Sequence, residues 1–478
     1  MKKFTCFFTL IWFVATPAFA VEADVGSVDG LKRKMHSTTV LTTHLIKSHS
    51  SNIVLRPVST VRNLFLFAVH MVGGLIKDSV LDILLFPSLE TAVEPISTTA
   101  HGMDLDRWES DLDWISGSER TTGSVDLLID GEAFFDRLTA EIASAEESIR
   151  FQTYIFDNDD YALEIADQLK ARSAEIPVEV LVDGVGTWGG SMVSSASAPN
   201  HHTGPVSVES YLEQDSNVKF SKLGNTWLMG DHTKVFIFDD KVAFLGGMNI
   251  GREYRYDWHD LMVELSGPVV EQLSYDTKKS SAENRWGDLA FFKRIRRGVA
   301  ESASSDIGLR LLYTLPHDAQ IYRTQLAAIR RSNSYIFVQN AYLADDLLLY
   351  ELVKARHRGV DVRVVVPLRP DSKMMNRSNV LAINTLKNHG VRVYMYPGMT
   401  HVKAAIYDGW ACLGTANFDK LSFKINKEVN IGTSDPDFVR TLREQLFEVD
   451  FAVSHELEET QSVQLADYFY EKIVDVIL

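Results

Sequence analysis

The chain has 478 residues, of which 45% are hydrophobic and 23% charged, and this composition excludes a disordered protein. Its formal net charge of −16 argues against a general affinity for nucleic acid, which requires a basic face. The two cysteines are Cys6 and Cys412, and Cys6 lies in a segment that we expect to be removed. No intrachain disulfide is therefore expected, and the fold must depend on burial alone.

The first twenty residues have the pattern of a secretory signal peptide. Lys2 and Lys3 form a basic start, an apolar stretch follows, and Ala18-Phe19-Ala20 fits the small-x-small cleavage pattern. We predict cleavage before Val21 and export to the periplasm or out of the cell, with an uncleaved membrane anchor as the alternative. The mature chain would carry a net charge of −18, because cleavage removes two lysines and no acidic residue.

An extension, residues 21–123, precedes the regular part of the chain. Within residues 61–87, the apolar stretch from Leu64 to Ile76 is shorter than the roughly twenty residues that cross a bilayer. Two interpretations remain open for it: a buried helical hairpin that caps the main domain, or an interfacial element associated with a membrane surface. The acidic residues 104–113, DLDRWESDLD, are expected to form a solvated connector.

From residue 126 onwards, strand-like and helix-like segments alternate, which predicts an α/β sheet. The same order of segments then returns, and IRFQTYIFDND in the first copy matches YIFVQNAYLADD in the second. His401 follows His232 by 169 residues, so the repeat spans one whole α/β unit. We predict two similar lobes, residues 124–300 and 301–478, with the join near residues 301–306.

Each lobe contains one copy of the motif HxKxxxxD. Its six residues are His232, Lys234, Asp239, His401, Lys403 and Asp408. Alternate side chains of a strand share a face, so the histidine and the lysine of each copy point the same way. Burying two unpaired lysines is costly, and their repetition indicates a shared anionic partner.

The segments after the motifs also repeat. FLGGMN ends at Asn249, and CLGTAN ends at Asn417. Asp260 follows the first motif histidine by 28 residues, and Glu428 follows the second by 27. Because a carboxylate beside a histidine orients the imidazole and fixes its tautomer, we predict that Asp260 and Glu428 brace the two histidines.

With the two copies face to face about a pseudo-twofold axis, one pocket would gather two histidines, two lysines and two asparagines. Lysine charge and asparagine amides suit a phosphate group. One histidine can attack phosphorus while the other protonates the leaving oxygen. Metal binding is the rival chemistry, but lysine is a poor ligand, so we predict no metal and no other cofactor.

These paired motifs resemble the phospholipase D superfamily, and the similarity covers about residues 124–455. Within the superfamily, GGMNIGREY, the WHD that follows it and PGMTHVKAAIYD are most similar to bacterial cardiolipin synthases. The resemblance implies two similar α/β/α lobes with the active site at their interface. The chain departs from those enzymes at its start, where they usually have two transmembrane helices, and at Thr415, where serine is commoner.

The resemblance also implies a phosphohistidine intermediate and no essential metal. By analogy His232 is the nucleophile and His401 the general acid, although the two motifs by themselves do not distinguish these roles. The residues expected to hold the substrate phosphate are Lys234, Lys403, Asn249 and Asn417. Asp239 and Asp408 belong to the motif, but a structural role at the strand end is favoured for them over catalysis.

Four functions are compatible with the motifs. Phosphatidyl transfer between glycerophospholipids, as in a cardiolipin synthase, is favoured, and hydrolysis to phosphatidic acid is the alternative. A secreted nuclease or other phosphodiesterase and a non-catalytic membrane scaffold are less favoured, the first because of the negative charge and the second because both motifs are complete. The expected partners are a phospholipid substrate and a membrane surface, without nucleic acid.

Overall fold

The computed structural model describes residues 28–87, 89, 93–97, 99–190, 195–199, 202, 204–205, 207–224, 229–292, 302–371 and 373–464. The predicted signal peptide and its cleavage site lie outside the described residues. The described residues form a mixed α/β fold around a sheet of sixteen strands.

The strands divide between the two lobes. The first lobe contains β1 Thr121–Ile129, β2 Ile149–Thr153, β3 Val178–Asp183, β4 Lys219–Leu223, β5 Val235–Phe238, β6 Val242–Gly246 and β7 Leu261–Ser266. The second lobe contains β8 Ile307–Leu315, β9 Asp318–Ala319, β10 Tyr335–Asn340, β11 Asp361–Pro367, β12 Arg392–Tyr396, β13 Lys403–Tyr407, β14 Trp410–Gly414, β15 Glu428–Thr433 and β16 His455–Glu456.

Helices cover the sheet and form the N-terminal extension. The extension contains α1 Val28–Leu55, α2 Pro57–Val80, which continues into a π-helical turn Leu81–Leu85, and α3 Leu105–Ser116. The first lobe adds α4 Asp130–Ser144, α5 Asp160–Arg172, α6 Gly184–Gly190, α7 Val208–Glu213, α8 Arg252–Tyr256, α9 Pro268–Trp286 and a 3-10 turn Gly287–Phe292. The second lobe adds α10 Gln320–Arg331, α11 Asp346–His357, α12 Lys373–Asn388, α13 Lys420–Lys424, α14 Pro436–Leu442, a π-helical turn Arg443–Phe447 and α15 Glu448–Val453.

The two lobes join edge to edge at β1 and β8, which pair antiparallel with Thr121 opposite Leu309. From this join the order is β1-β7-β6-β5-β2-β3-β4 in the first lobe and β8-β15-β14-β13-β10-β11-β12 in the second. Each strand of the first lobe thus has a counterpart at the same place in the second. This pseudo-twofold arrangement confirms the predicted fold of two similar lobes.

One apolar layer spans both lobes. One buried hydrophobic cluster lies within the first lobe, and another combines the second lobe with α3, but a third contains residues of both lobes, such as Ile237 of β5 and Ile406 of β13. Both side chains are almost completely buried. Because burying apolar surface is the main stabilising term in a fold, this shared layer and the continuous sheet unite the lobes as one body.

The acidic segment 104–113 is not a solvated connector, and that prediction was wrong. It belongs to α3, whose first turn is capped by Asp104 through a hydrogen bond from the Arg107 amide. Trp108 and Leu112 are buried on one face of this helix, and the Trp108 ring meets Trp410 edge to face at 5.2 Å. Some of the acidic residues lie on the exposed face and others contact the second lobe, so the helical period of the apolar positions was the missed signal.

The helices α1 and α2 cross both lobes. On the first lobe, Asn52 Nδ2 donates to the Gly224 carbonyl at 3.3 Å, and on the second, Lys77 forms an ion pair with Asp345 at 3.4 Å. Residues 61–87 are one helix and a π-helical turn, not the helical hairpin that was one interpretation. Within the described part of the chain, every helix is too short or too polar to cross a bilayer.

Candidate active site

The two motif histidines and lysines lie at the lobe interface. His232 and Lys234 form an extended segment just before β5, and His401 and Lys403 lie at the start of β13. Both lysines are buried, and each ammonium donates to the carbonyl of its own motif histidine, at 2.8 Å for Lys234 and 2.6 Å for Lys403. The structure therefore brings the four predicted residues together as two matching pairs.

Each motif histidine is bonded to a carboxylate of the other lobe. His232 Nδ1 lies 3.0 Å from Glu428 Oε2, and His401 Nδ1 lies 2.7 Å from Asp260 Oδ2. The spacing in sequence correctly predicted that these carboxylates lie beside histidines, but it did not reveal that they are exchanged between lobes. A carboxylate accepts a hydrogen bond from the N–H at Nδ1. The neutral imidazole therefore keeps its proton on Nδ1 and its free lone pair on Nε2.

Backbone pairing holds this exchange in place. The His232 amide donates to the Lys427 carbonyl at 2.9 Å, and the His401 amide donates to the His259 carbonyl at 2.7 Å. Each motif thus forms a short parallel bridge with the segment just before the opposite carboxylate, Asp231 with Lys427 and His259 with Thr400. The geometry of each histidine is consequently fixed by both lobes.

Burial shifts the ionisation of the whole pocket. It lowers the pKa of His401 to about 4, assisted by the charge of Lys403, and it lowers the pKa of His232 well below its usual value. It also lowers the pKa of Lys234 to about 7 and that of Lys403 to about 8. A bound phosphate anion would favour the charged forms of all four groups, so the pocket is suited to a negatively charged ligand.

The two predicted phosphate-binding asparagines differ in their contacts. Asn249 is tied into the first lobe, because its Nδ2 donates to the Tyr254 hydroxyl at 2.7 Å and its Oδ1 accepts from the Ile155 amide at 3.0 Å. Asn417 is buried, and its Oδ1 has no hydrogen-bond partner within the described residues. Because a phosphate would be bound by the Nδ2 donors and not by Oδ1, phosphate binding by both asparagines stays a prediction.

Asp239 and Asp408 lie away from the histidines, at the far ends of β5 and β13. Asp239 accepts hydrogen bonds from the amides of residues 146–148, and Asp408 accepts from those of Met103 and residues 333–335. Both have positive φ, 54° and 55°, a conformation that Asp tolerates better than most residues. These contacts support the strand-end role that was favoured for the pair, and a catalytic role for them stays a prediction.

Several residues of the site were missed in the sequence. Tyr154 packs beside His232 with ring centroids 4.7 Å apart, and Trp258 packs beside His401 at 5.2 Å. Thr415, which was noted only as a mild change, donates its hydroxyl to Glu428 Oε2 at 2.6 Å. Tyr154 directly follows β2, which pairs with β5, so its position after a neighbouring strand is the signal that could have identified it.

Asp157, Asp159 and Glu253 form the group of carboxylates in the described chain whose spacing would suit a metal ion. Burial and the charge of Asp159 raise the pKa of Asp157 to about 7, and burial raises the pKa of Glu253 well above its usual value. Bound protons can therefore reduce the repulsion in this cluster. None of the three is bonded to a motif histidine.

The chain belongs to the family of phospholipase D-like domains. The family model described as "Cardiolipin synthase, PLD-like domain" matches residues 138–279 and 326–449, which together are more than half of the chain. One matched segment lies in each lobe, so the match includes both copies of the motif.

Curated relatives and a solved structure agree with this family. The chain is 29% identical over 358 residues to cardiolipin synthase A of Pseudomonas fluorescens SBW25, covering 71% of this chain and 70% of that protein. It is 28% identical over 358 residues to cardiolipin synthase B of Escherichia coli K12, covering 72% and 84%. Phosphatidylserine synthase of Haemophilus influenzae Rd KW20 matches with a TM-score of 0.58 and 14% identity over 78% of this chain and 99% of that one, a likeness of fold alone.

Proposed function

We propose that the protein is a phosphatidyltransferase that acts on the phosphodiester of glycerophospholipids through a phosphohistidine intermediate. One observation carries the proposal: two histidines, each bonded to a carboxylate of the opposite lobe, lie with two buried lysines at one lobe interface. Such a site offers a nucleophile, an acid and positive charge for a phosphate, which are the requirements of double displacement at phosphorus.

In the first half of the proposed reaction, Nε2 of His232 attacks the phosphorus of the donor lipid. The bond from phosphorus to the head-group oxygen breaks, and His401 donates its Nε2 proton to that oxygen. Because a negative phosphate would raise the low pKa of His401, this histidine can carry the proton. Asp260 stabilises the imidazolium through Nδ1.

In the second half, His401 accepts the proton of an incoming alcohol, whose oxygen attacks the phosphorus. The bond from phosphorus to His232 Nε2 breaks, and the new phosphodiester leaves. If the alcohol is the glycerol head group of a second phosphatidylglycerol, the product is cardiolipin; if it is water, the product is phosphatidic acid. Transfer is favoured because the relatives are named cardiolipin synthases and the match covers most of their length.

We also propose that the protein works at a membrane surface after export, although the N-terminal residues that carry this prediction lie outside the described chain. The substrate class supports the membrane part, because glycerophospholipids are bilayer components. A nuclease activity is less favoured, since a net charge of −16 opposes binding to a polyanion.

The test is to incubate the purified protein with vesicles of phosphatidylglycerol and phosphatidylethanolamine in a chelator, and to identify products by mass spectrometry. Cardiolipin would support transfer, and phosphatidic acid alone would establish hydrolysis instead. His232→Ala and His401→Ala should each abolish turnover, while His455→Ala, at an exposed histidine, should not. Cleavage of single-stranded DNA without any lipid turnover would contradict the proposal.

A further inference from the structure

The helix α2 presents an unusually apolar face to solvent. Its exposed large side chains recur every three or four residues, which places them along one side of a helix about 36 Å long. Seven of them, with exposed fractions of 42–73%, are Val58, Val61, Phe65, Val69, Val72, Ile76 and Val80, and we call these seven the apolar face of α2; Leu64, at 39%, lies beside them. Among the α2 residues whose exposure is described, Arg62 is the one charged residue on the exposed side.

The opposite side of α2 is fixed to the lobes. His70 Nε2 lies 3.3 Å from the Pro316 carbonyl, and Lys77 bonds both Asp345 and the Tyr322 hydroxyl. Gly74 packs so closely that a Cβ there would lie 3.0 Å from Cε of Lys420. The outward direction of the apolar face is therefore set by contacts with the protein body.

These helices lie on segments that adjoin the candidate active site. Lys420 lies in the chain between the site residues Asn417 and Glu428. On the first lobe, Gly184 packs against His44 of α1, and the carboxylate of the preceding Asp183 accepts the amide next to His232. The helices α1 and α2 are thus packed on segments that are continuous in the chain with both halves of the site.

A second apolar element lies beside the start of α2. The amides of Val58 and Ser59 both donate to Asp288 Oδ2, which holds the turn Gly287–Phe292 against the helix. Phe291 and Phe292 at the end of this turn are 89% and 79% exposed. In the sequence four of the next five residues are basic: Lys293, Arg294, Arg296 and Arg297.

We propose that the apolar face of α2, together with Phe291 and Phe292, is the surface by which the protein binds a phospholipid bilayer that contains anionic lipid. Apolar and aromatic side chains beside a basic run match the acyl boundary and the anionic head groups of such a bilayer. The inference rests on the proposed function, because an enzyme that acts on phospholipids must bind the bilayer that contains them. A second copy of this chain is the less favoured partner, because two copies have the same basic run in their sequence, whereas anionic head groups attract it.

The test measures binding of the full chain to vesicles of equimolar phosphatidylglycerol and phosphatidylcholine. The variant carries Phe65→Ser, Val69→Ser, Val72→Ser and Ile76→Ser, all at exposed positions, and we expect partitioning to fall at least roughly 100-fold. Phe291→Ser with Phe292→Ser should also weaken binding. Val449→Ser with Val453→Ser, at apolar positions of similar exposure on α15, is the matched control and should bind as the wild type does.

Turnover separates this surface from the active site. Hydrolysis or transfer of vesicle lipid should fall with binding in the four-residue variant, whereas turnover of a short-chain phosphatidylglycerol dispersed as monomers should not change. Loss of vesicle binding in that variant supports the surface even if no lipid is ever turned over, an outcome that would reject only the proposed function. Vesicle binding by the variant at the wild-type level overturns the inference. If, in addition, the wild type sediments as a dimer and the variant as a monomer, the apolar face is a contact between two copies of the chain.

Discussion

Glu428 of the second lobe bonds His232 of the first, with Oε2 3.0 Å from Nδ1. The Thr415 hydroxyl donates to the same carboxylate oxygen, so the carboxylate that braces His232 is itself fixed by a hydrogen bond. The counterpart of Thr415 in the first lobe is Gly247, where a Cβ would lie 2.1 Å from Asp260 Oδ1. The two braces are thus built differently, a longer acid held by a hydroxyl and a shorter acid packed against a glycine.

Replacing either brace carboxyl by an amide should reduce catalysis without unfolding the protein. We expect Glu428→Gln and Asp260→Asn each to lower kcat roughly 100-fold or more, with little change in KM, because the imidazole loses its orientation and its stabilised charge. Steady-state assays on lipid vesicles measure this. Glu264→Gln is the matched control. Glu264 lies on β7, the strand that directly follows Asp260, but it pairs with Arg137 at 2.6 Å and not with a motif histidine. Equal losses in the control would argue against a specific role for the braces.

Replacing Lys234 tests whether the buried ammonium serves the phosphate. Lys234→Met keeps an apolar side chain of similar length but removes the charge, and we expect kcat/KM to fall roughly 1,000-fold. The same change should raise the pKa of His232, because the charge of Lys234 contributes to lowering it. NMR titration of the histidine ring measures that shift. Lys241→Met, at an exposed lysine near the end of the same hairpin, should alter neither quantity.

The motif aspartates should affect stability rather than chemistry. Asp408→Ala removes the acceptor of four backbone amides and places alanine at a φ of 55°, so we expect a loss of about 3 to 5 kcal/mol in the free energy of unfolding. Asp408→Asn retains an acceptor and tolerates that backbone conformation, and should lose less. Urea unfolding gives both values. A folded Asp408→Ala protein without activity, by contrast, would show that the aspartate has a chemical role.

His259 should make stability depend on pH above neutrality. Its ring is buried, and hydrogen bonds to Asp130 at 2.6 Å and Asp450 at 2.8 Å outweigh the opposing effect of burial and raise its pKa to about 10. A raised pKa means that its contribution is fully present below pH 6.5 and is lost as pH rises towards 10. We expect that loss to be on the order of 3 to 5 kcal/mol.

His259→Gln is the comparison for this pH dependence. Urea unfolding of the variant should show a smaller decline in stability between pH 6.5 and 10 than the wild type shows. Identical slopes in the two proteins would mean that the His259 ring is not charged in the folded state.

Much of the site could be predicted because it repeats. Two HxK pairs at matching places in matching frames already indicated a shared pocket, and Asp260 and Glu428 were recognisable from their common offset. The offset did not reveal which histidine each carboxylate meets, because the exchange depends on how β7 and β15 flank the join of the lobes. Trp108 illustrates another limit, since the acidic residues around it suggested solvent while its helical face is buried under the second lobe.

The exchanged carboxylates give the two lobes the geometry of a symmetric dimer, in which each lobe supplies the carboxylate that bonds the motif histidine of the other. In an assembly of identical subunits, both histidines would have the same environment and the same proton affinity. A single chain is free of that constraint, and here Glu428 with Thr415 and Asp260 with Gly247 have already diverged. Joining the halves covalently is therefore what allows one histidine to specialise in attack and the other in proton transfer.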